Sequence, residues 1–358
     1  MLLITNLKNI AYLTGFTGSR AFLLLGKKQS YFFTDSRYFE EAKKLVHACP
    51  AKAVAHKFVP GNKFKKFTVI GTKENLKEQF KRLKKSLKIT SIEFEENNLT
   101  VKKLKEWKRL LPKTPFRPIK PAESIEAMRA IKTKTEIEMI KKSQRINEKV
   151  LARIQKLLKA GTGKGAHAGV SELEIAWQIK KMAHEFGVDE MAFEPIVAFG
   201  AGSAVPHHKN GSRKLKKDDV VLIDMGMNYH GYLSDMSRTF LPRVTTKEQK
   251  EVYAAVLRAQ KAVIKAIKAG ARVKTLDRLA RKIMGKRQKF FTHGLGHGVG
   301  IEIHESPSLS GKSPDTLQEG MVITVEPGIY LNGKFGVRLE DMGVVTKEGF
   351  GNFTRFKK

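Results

Sequence analysis

With a single cysteine, Cys49, in 358 residues, the chain cannot build a disulfide framework. A chain of this length buries a core that needs no covalent staples, and sparse cysteine points to a reducing compartment. Long apolar runs are also missing: nothing approaches the ~20 residues of a transmembrane helix. The start, Met-Leu-Leu-Ile-Thr-Asn-Leu-Lys-Asn-Ile, is apolar, but no basic segment precedes it and polar residues break it within a few positions. It does not read as a signal peptide. There is no low-complexity tract. These absences read as a soluble, cytoplasmic protein with no membrane partner.

Negative charge is scarce as well. Lys and Arg number 68 against 35 Asp and Glu, a formal net charge of +33. Such an excess can mark a nucleic-acid partner. Here the basic residues spread through both halves of the chain, at 81–85, 102–108, 214–217 and 261–268, and do not interleave with aromatics. Lysines on solvated helix faces are distributed in this way, so a nucleic-acid partner is not expected.

Residues 1–115 alternate short apolar runs (Ala21 to Leu25, Tyr31 to Phe33, Thr68 to Ile70, Ser91 to Phe94) with charged, helix-like stretches at 75–88 and 100–111. That is the rhythm of a small α/β domain. Prolines between Pro112 and Pro121 bias their neighbours away from helix, and a linker is placed at 116–124. The second domain, 125–358, has readable helix ends. Ser171 with Glu174, and Thr246 with Gln249, form capping boxes, while Gly187 and Gly270 suit helix stops. Strand-like segments follow at 220–225, 232–240, 321–325 and 336–340. Helices and hairpins in this order predict an α+β class, because strands joined by short turns must be antiparallel.

Two of the hairpins carry acids inside apolar strands. In the first, residues 220–240, a turn centred on Tyr229 and His230 sets Asp224 opposite Asp235. In the second, residues 325–341, the Asn332-Gly333 turn signal sets Glu326 opposite Glu340, although Pro327 cannot donate to the ladder. Directly opposed like charges destabilise a pair of strands unless something cationic compensates. Arg238 and Arg338 are the only basic residues in these strands, so a metal is the economical answer. Four carboxylates and one imidazole match two divalent cations. An oxygen-rich set with one nitrogen favours Mn²⁺, Co²⁺ or Fe²⁺ over a sulfur-rich structural zinc site.

The imidazole is harder to choose. His293 and His297 are spaced as two ligands on a helix would be, but Gly294, Gly296, Gly298 and Gly300 argue against a helix by roughly 1 kcal/mol each. In an extended backbone Glu302 and His304 would share one face. His207 and His208, after Pro206, are further candidates in a loop position where histidine is more often a surface residue. Spacing alone does not select the ligand.

Taken together, Asp-Met-Gly (224–226), Gly-Tyr-Leu-Ser-Asp-Met-Ser-Arg-Thr (231–239), His-Gly-Leu-Gly-His-Gly-Val-Gly (293–300), Val-Glu-Pro-Gly-Ile-Tyr (325–330) and Gly-Val-Arg-Leu-Glu-Asp (336–341) resemble the dinuclear pita-bread metallopeptidases. Ser-Ala-Val-Pro-His-His (203–208) and Ile-His-Glu (303–305) narrow the resemblance to Xaa-Pro aminopeptidases and prolidases. Asn-Ile-Ala-Tyr-Leu-Thr-Gly-Phe-Thr-Gly (9–18) and Thr-Asp-Ser-Arg-Tyr (34–38) resemble their creatinase-like N-terminal domain.

The resemblance implies that Asp224, Asp235, His297, Glu326 and Glu340 are metal ligands, with Asp235 and Glu340 bridging two ions. Mn²⁺ is the expected ion, and Co²⁺, Fe²⁺ and Zn²⁺ are alternatives. It also implies that His207 and His304 contact the substrate and handle protons, that His293 lines the proline pocket, and that Arg338 is a cation beside Glu340 that either supports the metal ligands or contacts the substrate. Tyr229 matches a family tyrosine near the hairpin tip.

Two departures stand out. Met1 starts almost in the family's first strand, so the extra helix that usually precedes it is not expected here, and the segment between Leu276 and His293 reads as short. The expected activity is removal of an N-terminal residue that precedes proline, by metal-activated hydroxide, with Glu340 carrying the proton to the leaving nitrogen. Proline-containing peptides are the expected partners, and a homodimer the expected assembly. The rivals are a prolidase confined to dipeptides, a methionine aminopeptidase, which the N-terminal domain and Pro-His-His loop disfavour, and a binding module without catalysis.

Overall fold

The computed structural model describes residues 1–26, 29–48, 67–72, 76–161 and 169–358. Cys49 lies outside the described residues. The chain divides into two compact units, Met1–Met128 and Arg129–Lys358.

In the first unit, strands β1 (Leu2–Ile4), β2 (Ala21–Leu25), β3 (Ser30–Thr34), β4 (Phe67–Gly71), β5 (Ile92–Phe94) and β6 (Phe116–Pro118) form one sheet in the order β4-β3-β2-β1-β5-β6. Helices α1 (Leu7–Thr14), α2 (Phe39–Ala48), α3 (Leu76–Leu87) and α4 (Val101–Leu110) connect them. Phe22 stacks on Phe33 with ring centroids 4.4 Å apart, and Phe80 and Trp107 close the cluster. Buried Glu95 accepts from the backbone N–H groups of Thr5 and Asn6 and from the Asn9 amide, which fixes the start of α1. The apolar runs at 21–25, 31–33, 68–70 and 91–94 are strands as expected. The proline-rich stretch is not all linker: Phe116–Pro118 pairs in parallel with β5, an edge position that tolerates Pro118, so the sheet continues past residue 115.

α5 (Ile125–Ala130) leads into the second unit. There α6 (Lys134–Gly161), α7 (Glu172–Glu185), α8 (Lys247–Ala266) and α9 (Val273–Met284) pack against antiparallel strands. Both expected capping boxes are formed, Ser171–Glu174 on α7 and Thr246–Gln249 on α8. Gly187 has φ 79° just beyond α7, as a left-handed stop requires. By contrast α8 ends at Ala266, and Gly270 (φ 87°) turns the chain four residues later.

The strands are β7 (Glu190–Met191), β8 (Ile196–Phe199), β9 (Val221–Met225), β10 (Met227–Tyr229), β11 (Tyr232–Leu233), β12 (Met236–Phe240), β13 (Gly296–Gly298), β14 (Glu305–Leu309), β15 (Val322–Val325), β16 (Gly328–Leu331), β17 (Phe335–Arg338), β18 (Asp341–Val345) and β19 (Phe350–Asn352). They form sheets in the orders β11-β10-β7, β12-β9-β8 and β14-β13-β15-β18-β19, with β16 paired to β17.

Each acidic hairpin is divided between two sheets. In the first, β10–β11 carries the turn and β9–β12 the base. In the second, β16–β17 carries the turn and β15–β18 the base. The ladder breaks at Gly226 and Ser234-Asp235 in one hairpin, and at Glu326-Pro327 and Leu339-Glu340 in the other. Three of the four acids therefore stand where one sheet gives way to the next, freed from the alternation that governs a continuous strand.

Candidate metal centre

The second hairpin has the predicted register. Leu331 opposes Phe335 across Asn332-Gly333-Lys334, and at the base Val325 opposes Asp341, so Glu326 and Glu340 occupy facing positions. The first hairpin does not. Its turn is His230-Gly231, with φ 48° and 83°, the two positive values that a tight primed turn needs. Tyr229 then opposes Tyr232, and Asp224 opposes Ser237 instead of Asp235. Centring the turn one residue early was the error; Gly231 was the signal for the correct register. Tyr229 packs edge-on against His230, centroids 4.3 Å apart.

Asp224 and Asp235 nevertheless approach the same place, because Asp235 lies in the break and not in the ladder. One donor atom each from Asp235, His297 and Glu340 lies within 4.8 Å of the others. His297 Nε2 is 3.5 Å from Asp235 Oδ2 and 3.3 Å from Glu326 Oε1. The His297 ring donates through Nδ1 to the Gly298 carbonyl at 3.2 Å, which leaves Nε2 as the lone-pair atom facing the carboxylates.

Burial pushes the carboxyl of Asp235 well above the usual range, with Glu340, Asp224 and Glu326 adding repulsion. Burial does the same to Glu340, and raises Glu326 to about 8. Among the described residues no hydrogen bond reaches the buried oxygens Asp224 Oδ1, Asp235 Oδ1 or Glu340 Oε1. Orphaned buried acceptors beside an imidazole lone pair fit a group that offers positive charge without hydrogens, which is what a divalent cation supplies.

Arg338 answers part of the charge. Its guanidinium, 4% exposed, donates to Asp224 Oδ2 at 2.7 Å, to Ser237 Oγ at 2.7 Å, to the Tyr330 hydroxyl at 2.9 Å and to the Pro206 carbonyl at 3.3 Å. Three formal negative charges remain on the other acids, more than one divalent cation cancels. Ser237 Oγ in turn donates to Glu340 Oε2 at 3.1 Å. Arg238 turns away, to Asp341, the Glu340 carbonyl and the Phe356 carbonyl.

Tyr330 was not anticipated. Its hydroxyl accepts from Arg338 and donates to His293 Nε2 at 2.8 Å, while His293 Nδ1 donates to the Gly294 carbonyl. Burial lowers His293 to about 4, so the ring is neutral at physiological pH. Gly328 makes this possible: a Cβ there would stand 2.6 Å from the Tyr330 hydroxyl.

His304 packs edge-on to His297, centroids 4.4 Å apart, and its pKa is lowered by burial. His207 is exposed and lies near His293 and His304. Its neighbour His208 does structural work, donating at 2.8 Å to Glu172, a buried acid that also accepts from the backbone of Phe199 and Gly211. Residues 299–304 form a loop, so the expected extended segment sharing Glu302 and His304 on one face is not present.

Comparison with known proteins identifies the family. Residues 138–347 match the model for metallopeptidase family M24, and residues 1–131 match the creatinase/prolidase N-terminal domain. An uncharacterized peptidase, YqhT, of Bacillus subtilis is 32% identical over all of this chain and 94% of its own length. A solved Xaa-Pro dipeptidase from Bacillus anthracis is 32% identical with a TM-score of 0.86, covering all of this chain and 93% of that one. An X-Pro aminopeptidase from Thermotoga maritima is 32% identical with a TM-score of 0.82, covering 99% and 95%, and a prolidase from Pyrococcus furiosus is 30% identical with a TM-score of 0.83, covering 100% and 96%. With a pita-bread catalytic unit, a creatinase-type N-terminal domain and acids gathered around one imidazole, the chain belongs to metallopeptidase family M24.

Proposed function

We propose that the protein is a dinuclear metal-dependent exopeptidase that cleaves the bond between an N-terminal residue and a following proline. The observation that carries this reading is the gathering of buried carboxylates around His297 within an M24 chain, with an unpartnered oxygen on each of Asp224, Asp235 and Glu340. Asp224, Asp235, His297, Glu326 and Glu340 would hold the ions. Divalent ions there, Mn²⁺ by preference, would acidify water and polarise a carbonyl.

The protein's own groups complete the chemistry. Arg338 holds Asp224 in place through the contact to Oδ2. Neutral His293, braced by Tyr330, walls the proline side of the site without adding charge. One of His304 and His207 donates to the oxyanion that forms when the scissile carbonyl is attacked, and both contact the substrate. Glu340 takes a proton from the attacking water and delivers it to the leaving imino nitrogen.

Among the two substrate lengths, we favour peptides longer than a dipeptide. The alternative is a strict dipeptidase, supported by the names of the Bacillus anthracis and Pyrococcus furiosus relatives. Assaying Xaa-Pro against Xaa-Pro-Yaa-Zaa separates them. Faster turnover of the tetrapeptide supports the aminopeptidase, and turnover of the dipeptide alone refutes it. No helix among the described residues is long and apolar enough to cross a membrane. A homodimer is proposed as the assembly.

A further inference from the structure

Glu305 follows His304 directly and is buried, with a side chain 4% exposed. Four donors converge on it. Oε1 accepts from the backbone N–H groups of Ile301 at 3.0 Å and Glu302 at 3.1 Å, and from Arg129 at 2.5 Å; Oε2 accepts from Lys132 at 3.1 Å. Arg129 and Lys132 are themselves buried, and Arg129 also reaches Glu302. Although burial works to raise the Glu305 pKa, Lys132 and Arg129 outweigh it and hold the group ionised.

Buried ion pairs of this kind are often matched or bettered in stability by apolar residues of the same shape, so stability alone does not explain the cluster. An apolar group could not accept two consecutive backbone N–H groups. That contact curls residues 300–304 back on Glu305, so tightly that a Cβ on Gly300 would stand 2.5 Å from Oε2. The curled segment delivers His304 edge-on to His297. Its Gly300 carbonyl also accepts from Leu233 N at 2.8 Å, two residues before Asp235.

We propose that Glu305, held by Arg129 and Lys132, is a positioning residue: its carboxylate is the template that shapes the 300–304 loop and fixes His304 against the metal centre. The proposal rests on the reading that His304 acts on the substrate. Shortening the template by one methylene, Glu305→Asp, keeps the charge that answers Arg129 and Lys132 but withdraws it from the loop.

In the metal-loaded full chain, Glu305→Asp should lower kcat on an Xaa-Pro peptide by about 10- to 100-fold while metal content stays at the parental level. Amide exchange at 301 and 302 should accelerate. In a His304→Ala background the same change should lower kcat by less than about twofold further, because the two residues act through one group. If Glu305→Asp does not fold, Lys132→Met/Glu305→Gln carries the test. Its amide oxygen still accepts both N–H groups, and kcat should stay within about threefold of the parent.

An equal loss of kcat in the His304→Ala background, unchanged amide exchange, or loss of metal from Glu305→Asp would overturn the proposal. So would a kcat loss beyond tenfold in Lys132→Met/Glu305→Gln. Failure of the metal-loaded parent to cleave Xaa-Pro peptides would instead sink the proposed reaction, and the exchange measurement would still decide on the template.

Discussion

Chelation should destabilise the protein far more at pH 8 than at pH 5. Glu326 has an ordinary pKa of 4.5 when unfolded and about 8 in the metal-free fold, mainly because it is buried. Below about pH 4.5 it is protonated in both states and adds no pH dependence. Between there and about pH 8 the unfolded chain has lost the proton and the metal-free fold has not. Folding stability therefore falls as pH rises, by about 1.4 kcal/mol per pH unit.

Over the whole interval Glu326 alone accounts for roughly 5 kcal/mol, and Asp235 and Glu340, raised for the same reason, act in the same direction. Bound cations remove this penalty where the ligands are ionised and must displace protons where they are not. For a unit of this size 1 kcal/mol moves Tm by about 2 to 4 °C. From pH 5 to pH 8 Glu326 accounts for about 4 kcal/mol of this, so the gap between metal-loaded and chelated Tm should widen by roughly 8 to 16 °C on its account alone. Calorimetric melts with Mn²⁺ and with chelator at matched pH measure it, and groups distant from the site cancel in the comparison. A gap that is constant, or larger at pH 5, would refute the electrostatic reasoning.

Replacing Asp235 with Asn should remove bound metal and cut turnover at least about a hundredfold. Because one repelling charge is gone, the chelated variant should melt no lower than the chelated parent at pH 8; a clearly lower Tm would contradict the clustered site. Glu172→Ala should cost about 3 kcal/mol or more, since three donors lose their acceptor, and a fall in Tm under about 2 °C would show that the acid does not anchor the Pro-His-His loop. Gly296→Ala would force a Cβ to 2.2 Å from the Thr324 carbonyl oxygen. About 1 to 3 kcal/mol of stability should be lost, with weakened metal retention beside His297, and a variant with parental Tm and metal content would contradict the close approach.

What could be read in the sequence was what local chemistry determines. Capping boxes need only side chains three residues apart, and both formed as written. The Asn332-Gly333 signal set a register that carries through a break in the ladder to Glu326 and Glu340. The first hairpin slipped because His230 is an uncommon residue at positive φ, and Tyr229-His230 competed with His230-Gly231 for the turn. The four glycines at 294–300 correctly excluded a two-histidine helix.

Long-range partners were beyond local reading. Nothing beside Tyr330 in the chain announces His293, 37 residues earlier, and Glu305 finds Arg129 and Lys132 more than 170 residues away. Arg338 was expected as a cation beside Glu340, but its four partners, Asp224, Ser237, Tyr330 and the Pro206 carbonyl, come from segments that no local spacing connects. β6 was hidden because three residues containing a proline look like linker until a neighbouring strand pairs with them.

The central claim is that these side chains hold two divalent ions which make an Xaa-Pro bond hydrolysable. Titrating Mn²⁺ into chelated, desalted protein while following cleavage of an Xaa-Pro peptide tests it most directly. Activity should rise from none and reach its plateau with two ions bound per chain. Full activity before any metal is added, or two bound ions with no cleavage of any Xaa-Pro peptide, would contradict it.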